Sequence, residues 1–486
     1  MYLGIDVGTS SVKAVLIDGG GNIAASRSEP LTVERPHPGW SEQDPDSWIA
    51  ATSNAIDTLC REHPDALKKV RGIGLSGQMH GATLLDHADR PLRPCILWND
   101  GRSSQEAAEL DADPRFRKIT GNIVFPGFTA PKLVWVHRHE PKIFGDVEAV
   151  LLPKDYVRLW LSGDRASDMS DASGTSWLDV AGRDWSDELL AATHLQRDQV
   201  PALYEGTDVT GKLRPVLATR WGMEAAPVIA GGGGDNAASA CGVGAVAPGS
   251  AFVSLGTSGV LFVSNEAFRP NPESAVHAFC HALPATWHQM GVILSAAASL
   301  EWLAGVTGRS LSELDEEVAA HQPTEGESLF FLPYLSGERT PHNDPAVRGS
   351  FVGLSHQTDR AALARAVMEG VAFAFADCLE ALKKAGTSVE RATAVGGGSR
   401  SRIWLKIIAD VLNIPIDVPG EGDFGGAFGA ARLGLVAAEA ADPAAVCAPP
   451  RIEETIAPEA AAADFYRTAF ARYRALYPAI REAFST

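Results

Sequence analysis

The feature that most constrains this chain is a short hairpin pattern that occurs twice. Near the start, alternating apolar residues at 3–7 and 12–16 flank the small-residue turn Gly8-Thr9-Ser10. The same tripeptide recurs as Gly256-Thr257-Ser258, 248 residues further along and again between two strand-like segments. Alternation on both sides of a tight turn is typical of a β-hairpin. A hairpin repeated at half-chain spacing predicts two halves of related architecture.

The segments around the hairpins predict that each half mixes strands and helices. Short strand patterns occur at 72–76 and 227–230, and apolar residues recur at four-residue steps through 360–385. We expect helices over five segments of the second half: 289–305, 360–385, 401–412, 427–440 and 461–484. This order favours two α/β domains that face a cleft, the first at residues 1–245 and the second at 246–486.

Composition limits the partners and the compartment. The chain has 60 acidic and 42 basic residues, a net charge of −18, which argues against binding to nucleic acid or to an anionic membrane. Its six cysteines are scattered and form no C-x-x-C pair, so we expect free thiols in a reducing compartment. The first residues lack the basic segment of a signal peptide, which predicts a cytoplasmic protein. A homodimer is compatible with the sequence.

The two Gly-Thr-Ser turns are candidate phosphate-binding elements. Glycine lets backbone N–H groups approach an anion, and Thr and Ser add short hydroxyl donors. Two such turns on facing halves would hold one polyphosphate from opposite sides. Asp6, just before the first turn, is a candidate for Mg²⁺ binding, directly or through water, and Lys13 across the hairpin would offset phosphate charge. A single turn of this kind is more often an ordinary tight turn, whereas the matched pair favours binding.

Two further glycine clusters are candidates for catalysis and nucleotide binding. Gly231–Gly234 leads into Asp235-Asn236, where a carboxylate can stand beside a substrate hydroxyl as a general base. The segment 395–401 follows a strand and opens a helix, and a nucleotide can lie against bare backbone at such a point. Each cluster taken alone is also compatible with a simple turn or with close strand–helix packing.

Polar side chains in two more segments suit a ligand with many hydroxyl groups. The first is Ser76–Gly81, which holds Met79 and His80, and the second is Trp98–Arg102. Amide, carboxylate, guanidinium and imidazole groups together offer donors and acceptors to each hydroxyl. His80 taken alone is more often a structural histidine, and it has no second His or Cys at the spacing of a metal site.

Taken together, these motifs resemble the FGGY family of carbohydrate kinases, in the actin–hexokinase–chaperone ATPase superfamily, over essentially the whole chain. The resemblance is carried by five segments: IDVGTSSVK, GFTAPKLVWV, GGGDN, SLGTSG and VGGGSRS. Within the family, five others are most similar to bacterial xylulokinases: SGQMHG, ILWNDGR, LLPKDY, SDMSDASGTSWLD and FLPYLSGERTPHND. The resemblance implies two actin-like, ribonuclease-H-like domains around a central cleft. It also implies transfer of phosphate from ATP, with Mg²⁺, to D-xylulose, giving D-xylulose 5-phosphate in xylose catabolism.

The resemblance also implies a role for each matching residue. Asp235 resembles the base that takes the proton from the terminal hydroxyl of the sugar. Asp6 and Asp235 are expected to hold the metal ion through water. The sugar-binding set comprises Met79, His80, Arg102, Asp235, Asn236 and Asp6. The nucleotide-binding set comprises Gly8, Thr9, Ser10, Lys13, Gly256, Thr257, Ser258, Gly397 and Ser401.

Two alternative functions stay open at this point. The first is an FGGY kinase for another substrate, such as ribulose, gluconate or glycerol, which would differ only in the pocket around 78–80 and 99–102. The second is an actin-like ATPase that is not a kinase, such as a chaperone or a filament protein. Asp235 beside a sugar-like pocket argues against that second class, whose filament members would assemble with ATP alone.

Overall fold

The structure, a computed structural model, describes residues 1–321, 329–420, 422 and 424–484. The first half contains the strands β1 (Tyr2–Val7), β2 (Ser11–Ile17), β3 (Ile23–Pro30), β4 (Glu42–Gln43), β5 (Gly72–Gly77), β6 (Thr83–Leu85), β7 (Cys95–Ile96), β8 (Ala149–Leu151), β9 (Ala166–Asp168), β10 (Leu178–Asp179), β11 (Asp184–Trp185), β12 (Ala202–Tyr204), β13 (Val209–Lys212), β14 (Val228–Ala230) and β15 (Gly233–Gly234). Its helices are α1 (Pro45–Glu62), α2 (Pro64–Leu67), α3 (Ser104–Asp111), α4 (Pro114–Thr120), α5 (Thr129–His139), α6 (Pro141–Gly145), α7 (Pro153–Ser162), α8 (Met169–Ala172), α9 (Asp187–Ala192), α10 (Pro215–Arg220) and α11 (Asp235–Val243).

The second half is richer in long helices. Its strands are β16 (Ala251–Leu255), β17 (Gly259–Asn265), β18 (His277–Cys280), β19 (Trp287–Ile293), β20 (Phe330–Leu332), β21 (Ser350–Val352), β22 (Ala392–Val395), β23 (Ile416–Pro419) and β24 (Ile452–Ile456). Its helices are α12 (Ala297–Thr307), α13 (Leu311–Ala320), α14 (Arg360–Lys384), α15 (Arg402–Leu412), α16 (Gly426–Glu439), α17 (Pro443–Val446) and α18 (Ala460–Arg481).

Each half is built around one large sheet, and the two sheets follow the same plan. The first has the strand order β13-β14-β5-β1-β2-β3, with β15 added to β5, and the second has β18-β19-β17-β16-β22-β23-β24. In each sheet the predicted hairpin is antiparallel, and its first strand pairs in parallel with a later strand: β1 with β5, and β16 with β22. The repeated hairpin therefore belongs to a repeated α/β domain, as the sequence predicts. The family resemblance implies that this domain is of the actin-like type.

Helix α16 joins the second half of the chain to the first sheet. It is rich in Gly and Ala, and this small-residue surface packs against β1 and β5 and against α11. The approach is close, because a Cβ atom on Gly74 of β5 would lie 1.8 Å from the carbonyl oxygen of Ala430. The division of the chain at residue 245 stays a prediction, and α16 packs across it.

The helices predicted at 360–385, 401–412, 427–440 and 461–484 correspond to α14, α15, α16 and α18. The helix predicted at 289–305 is wrong in its first part, because residues up to Ile293 belong to β19 and the helix begins at Ala297. β19 pairs with β17 on one side and with β18 on the other. The segment is apolar because β19 lies inside the sheet. A short apolar run does not by itself distinguish a strand from a helix.

Candidate active site

Asp235 lies where strand β15 passes into helix α11. β15 pairs in parallel with the end of β5, so Asp235 follows directly beyond the sheet edge, as the first residue of the helix. Its Oδ1 accepts hydrogen bonds from the backbone N–H of Asn236 (2.7 Å) and from Asn236 Nδ2 (2.9 Å). Burial, together with the nearby charge of Asp6, raises the pKa of Asp235 to about 6. Hydrogen bonds from Asn236 therefore fix the Asp235 carboxylate, and its pKa is close to the value that suits a general base at neutral pH.

Asp6 lies on β1, on the same edge of the first sheet. It pairs in register with Ser76 of β5 on one side and with Lys13 of β2 on the other. The N-terminus of α16 approaches it closely, since a Cβ atom on Gly426 would lie 3.0 Å from Asp6 Oδ1. The start of a helix favours negative charge. The fold thus brings together Asp6 and Asp235, which are 229 positions apart in the sequence.

His80 lies just beyond the end of β5 and is held as a neutral hydrogen-bond acceptor. Its Nδ1 lies 2.7 Å from the carbonyl oxygen of Gly174, and because a carbonyl oxygen can only accept, Nδ1 carries the hydrogen. Its ring stacks on Phe128 with 4.5 Å between ring centroids. Burial lowers the pKa of His80 to about 3. Its Nε2 is left as an acceptor, and Met79, against which a Cβ on Gly234 would press at 3.0 Å, forms the adjoining apolar wall.

The second half contributes one side of the same pocket. Phe125 and Phe128 of the first half contact the ring of His277 on β18, with centroids 5.2 and 5.8 Å apart. Arg339 Nη1 lies 3.3 Å from His277 Nε2, and the Arg339 guanidinium lies 4.8 Å from the centroid of the Phe125 ring. Aromatic and basic side chains from both halves therefore meet around the His80 pocket.

Hydrogen bonds connect the first Gly-Thr-Ser turn to the two segments, Ser76–Gly81 and Trp98–Arg102, that the sequence predicts to bind a ligand with many hydroxyl groups. Thr9 Oγ1 donates to Gln78 Oε1 (2.9 Å) and accepts from Trp98 Nε1 (3.0 Å). Gln43 Nε2 donates to the carbonyl oxygen of Thr9 (2.7 Å), and Gln78 Nε2 donates to Gln43 Oε1 (2.9 Å). The hydroxyl hydrogen of Thr9 is thus directed at Gln78, so the turn would offer its backbone N–H groups to an anion.

The second Gly-Thr-Ser turn opens onto a cavity of about 770 Å³ in the second half. Four of the predicted nucleotide-binding residues line it: Gly256, Thr257, Gly397 and Ser401. A Cβ atom on Gly397 would meet no atom within 4 Å, so this wall of bare backbone faces open space. Glu301 of α12 and Asp315 of α13 also line this cavity. The size and the glycine wall suit a nucleotide.

Sequence-profile and structure comparisons identify the family. The N-terminal domain of the FGGY family of carbohydrate kinases matches residues 1–242, and its C-terminal domain matches residues 251–438. The chain belongs to the FGGY family of carbohydrate kinases. This FGGY kinase is 55% identical, over 90% of its own length and 90% of the relative's, to the xylulose kinase of Escherichia coli strain K12.

Solved structures agree with this assignment. A kinase from Brucella ovis, described as a "xyloylose kinase", is 62% identical and superposes on this FGGY kinase with a TM-score of 0.97, covering 99% of both chains. A gluconate kinase from Lactobacillus acidophilus is 25% identical and superposes with a TM-score of 0.93, covering 99% of this chain and 98% of its own. The fold is therefore shared by sugar kinases that are named for different substrates.

The predicted site residues of this FGGY kinase fall into groups. Asp6, Met79, His80, Asp235 and Asn236 gather around one edge of the first sheet, while Gly256, Thr257, Gly397 and Ser401 line the cavity of the second half. Gly8 and Ser10 lie in the first turn, Lys13 lies on β2 opposite Asp6, and Ser258 lies exposed in the second turn.

Arg102 lies in a buried ion-pair cluster. Its guanidinium is 1% exposed, pairs with Asp100 (2.7 Å) and with Glu42 (2.6 Å), and lies over the ring of Trp40. A sugar contact by Arg102 stays a prediction, because these partners already engage its donors in this structure.

Ser401 lines the cavity and also caps the start of helix α15. Its Oγ accepts from the backbone N–H of Trp404 (3.1 Å), which caps the start of α15, and it donates to Asp315. Asp315 and Glu301 are not singled out by the sequence analysis, because Asp315 lies on the amphipathic helix α13 and Glu301 on the largely apolar helix α12, each outside any recognisable motif. His277 and Arg339 escaped it as well, although the segment GERTPHND contains Arg339 within a conspicuously polar run.

Among the residues that the structure describes, no group of three or more His, Cys, Asp or Glu side chains is arranged to hold a metal ion. Across the same described ranges, no helix is both long enough and apolar enough to cross a membrane.

Proposed function

We propose that this FGGY kinase transfers the γ-phosphoryl group of ATP to the terminal hydroxyl of D-xylulose, forming D-xylulose 5-phosphate. The observation that carries the proposal is the position of Asp235, a half-buried carboxylate held by Asn236 beside the Met79–His80 pocket. The choice of sugar is supported by the 55% identity with a xylulose kinase.

The residues of the pocket divide the work of the reaction. Asp235, ionised at neutral pH, accepts the proton of the terminal hydroxyl as the hydroxyl oxygen attacks the phosphoryl group. His80 Nε2 accepts a hydrogen bond from another sugar hydroxyl, and its neutral ring keeps that acceptor available. The apolar wall of Met79 and Phe128 excludes water beside them.

The residues present fit a magnesium–nucleotide complex. The cavity lined by Gly397 and Thr257 has room for the nucleoside, and the two Gly-Thr-Ser turns would offer backbone N–H groups to phosphates. Asp6 and Asp235, close enough for the charge of one to raise the pKa of the other, would hold a cation through water. When bound, Mg-ATP supplies the phosphoryl group and neutralises the charge that develops on it.

We further infer a cytoplasmic enzyme that binds sugar and ATP and does not bind nucleic acid. All six cysteines are free thiols, as expected in a reducing compartment. The net charge of −18 disfavours nucleic acid. Sedimentation of the purified chain would decide between a monomer and the homodimer that the sequence allows.

The test measures sugar phosphate formation across a panel of D-xylulose, ribulose, gluconate and glycerol. We expect D-xylulose to have the highest kcat/KM, and Asp235→Asn to lower kcat by at least ~10²-fold while ATP binding persists, because proton transfer alone is lost. A tenfold preference for another member of the panel would overturn the sugar assignment. Near-normal turnover of Asp235→Asn would remove this residue from the mechanism.

A further inference from the structure

A cluster of fully buried charges lies under the loop that carries Asp235. Lys154 Nζ contacts Asp155 (2.5 Å), Asp168 (2.8 Å) and Asp171 (3.2 Å), and Arg158 lies beside them, all with side chains 0% exposed. Burial by itself lowers the pKa of Lys154, and the three carboxylates outweigh that effect and raise it. Buried charges are costly even when they are paired, so a cluster of this size calls for a reason beyond stability.

Arg158 connects this cluster to the start of the glycine loop. Its Nη1 donates to the carbonyl oxygen of Ala230 (2.6 Å) and to Thr210 Oγ1 (2.9 Å), and its Nη2 donates to the carbonyl oxygen of Gly231 (2.5 Å). Its Nε lies 3.7 Å from Asp155. The buried guanidinium of Arg158 therefore links two consecutive carbonyl groups, the last of β14 and the first of the loop, to the cluster.

Ser170 connects the cluster to the other end of the loop. Its Oγ donates to Asp168 Oδ2 and accepts from the backbone N–H of Gly234 at 3.0 Å. Asp168 is in turn paired with Lys154. Gly234 directly precedes Asp235, so a continuous chain of contacts runs from Lys154 to the residue next to the base.

The middle of the loop is fixed by close packing. The N–H of Gly232 donates to the carbonyl oxygen of Gly206 (2.9 Å), and a Cβ atom on Gly232, whose φ is +76°, would lie 2.1 Å from the carbonyl oxygen of Leu75. With both ends anchored and the middle packed, the loop has one backbone path into α11, and that path sets where the Asp235 carboxylate stands.

We propose that Ser170 is a positioning residue that places Asp235 for proton transfer through the backbone of the Gly231–Gly234 loop. This role rests on the proposed function, in which Asp235 is the base. Because a displacement of about 1 Å at a reacting group can cost ~10²-fold in rate, loss of one anchor would be visible in turnover.

The chain offers a matched control for Ser170. Ser167 is an equally buried serine of the same cluster, and its Oγ donates to Asp155 Oδ2 (2.6 Å). Ser170→Ala removes the acceptor of the Gly234 N–H, whereas Ser167→Ala removes one hydroxyl from the cluster without removing that anchor. The two variants thus separate loss of the anchor from general damage to a buried polar network.

The experiment compares the wild type and these variants by kcat, by the KM for each substrate and by the sugar phosphate formed per ADP released. We expect Ser170→Ala to lower kcat about tenfold, to leave the KM for ATP close to that of the wild type, and to lower the sugar phosphate formed per ADP. A displaced Asp235 slows transfer to the sugar hydroxyl more than transfer to water, which has no fixed place relative to the base. Ser167→Ala should keep the wild-type ratio, and Ser170→Thr, which retains the hydroxyl, should restore it.

Each outcome decides the question. An unchanged ratio in Ser170→Ala, or an equal loss in Ser167→Ala, overturns the positioning role. If Ser170→Ala does not fold, Ser170→Gly, which likewise lacks an acceptor for the Gly234 N–H, replaces it, and a wild-type ratio in the Gly variant overturns the role as well. A wild type that phosphorylates no sugar contradicts the proposed function itself, and that result is distinct from a failure of the positioning role.

Discussion

Burial shifts the pKa values of Asp235 and His80, the two polar side chains proposed to contact the sugar, in opposite directions. It raises the pKa of Asp235 to about 6 and lowers that of His80 to about 3, because a low-dielectric surrounding penalises whichever form is charged. At neutral pH the carboxylate is still mostly ionised and the imidazole is uncharged. Single residues here thus become a base and an acceptor through their surroundings.

The first prediction at this scale concerns pH. Because the pKa of Asp235 is raised to about 6, its ionised form, the base, is lost as the pH falls through that value. We expect kcat/KM for D-xylulose to be level near neutral pH and to fall towards tenfold per unit below pH ~6, since kcat/KM reports the free enzyme. Hydrogen bonds from Asn236 favour the ionised form, so Asn236→Ala should move this limb to higher pH. A profile that stays level down to pH ~4 would contradict the assignment of the base.

The second prediction concerns His80, whose φ of +70° lies in the left-handed region. His80→Asn removes the Nε2 acceptor but tolerates this backbone conformation, whereas alanine adds strain. Loss of one buried hydrogen bond costs about 1–3 kcal/mol, so we expect the KM for the sugar to rise about tenfold and the KM for ATP to change little. Steady-state kinetics with each substrate varied in turn would check this, and equal changes in both constants would contradict it.

At the scale of secondary-structure elements, the site depends on how closely two helices pack. α11 carries Asp235 at its first residue, and α16 packs against α11 as well as against β1 and β5. The contact is so close that a Cβ atom on Gly429 of α16 would lie 1.7 Å from the carbonyl oxygen of Ala238 in α11. Packing against α16, which belongs to the second half, therefore fixes the distance between α11 and the first sheet.

This packing predicts that Gly429→Ala pushes the two helices apart. Overpacking of this kind costs roughly 1–3 kcal/mol, so we expect a lower melting temperature together with a lower kcat as Asp235 moves. Gly305→Ala is the control, because Gly305 is also helical, in α12, but its Cβ would meet no atom within 4 Å. The control should be neutral or stabilising by about 0.4–1 kcal/mol. Equal melting temperatures for both variants in calorimetry would disprove the close contact.

At the scale of the whole molecule, the proposed sugar site and the proposed nucleotide site draw mainly on different halves of the chain. The first sheet carries Asp6 and Asp235 at one edge, with the His80 pocket adjoining it. The second half holds the cavity of about 770 Å³ behind its own hairpin turn. Aromatic residues of both halves meet at the pocket, so the proposed reaction would take place where the halves face each other. Two lobes around a cleft are commonly able to close over their ligands.

This division predicts that filling the cavity of the second half weakens the use of ATP more than the use of the sugar. Gly397→Val places a branched side chain where a Cβ atom meets open space, so it should occupy the nucleotide cavity without disturbing the core. We expect the KM for ATP to rise at least about tenfold, with little change in the KM for D-xylulose, the reverse of His80→Asn. Substrate-varied kinetics on both variants would check the reciprocity. An unaltered KM for ATP would show that the nucleotide lies elsewhere.

The elements of the fold follow in large part from local sequence patterns. The paired hairpins, the long helix α14 and the strand before Gly396 are visible as alternation, as apolar residues at four-residue steps and as glycine punctuation. Each is a short-range pattern, in which neighbouring residues decide one backbone conformation. The start of α12 was misplaced because the run before it is buried as β19 between two other strands, and burial of this kind leaves no distinct period.

The sequence alone determined the class of protein, the repeated α/β plan and the identity of the chemically important side chains, because these are encoded in contiguous motifs. The tertiary structure decided which of those side chains meet and in what protonation state. It brought Asp6 within reach of Asp235, turned the hydroxyl of Thr9 towards Gln78, enclosed Arg102 in ion pairs and placed Ser170 under the loop of the base. Such contacts join residues tens to hundreds of positions apart, and only packing of the whole chain fixes their distances and their burial.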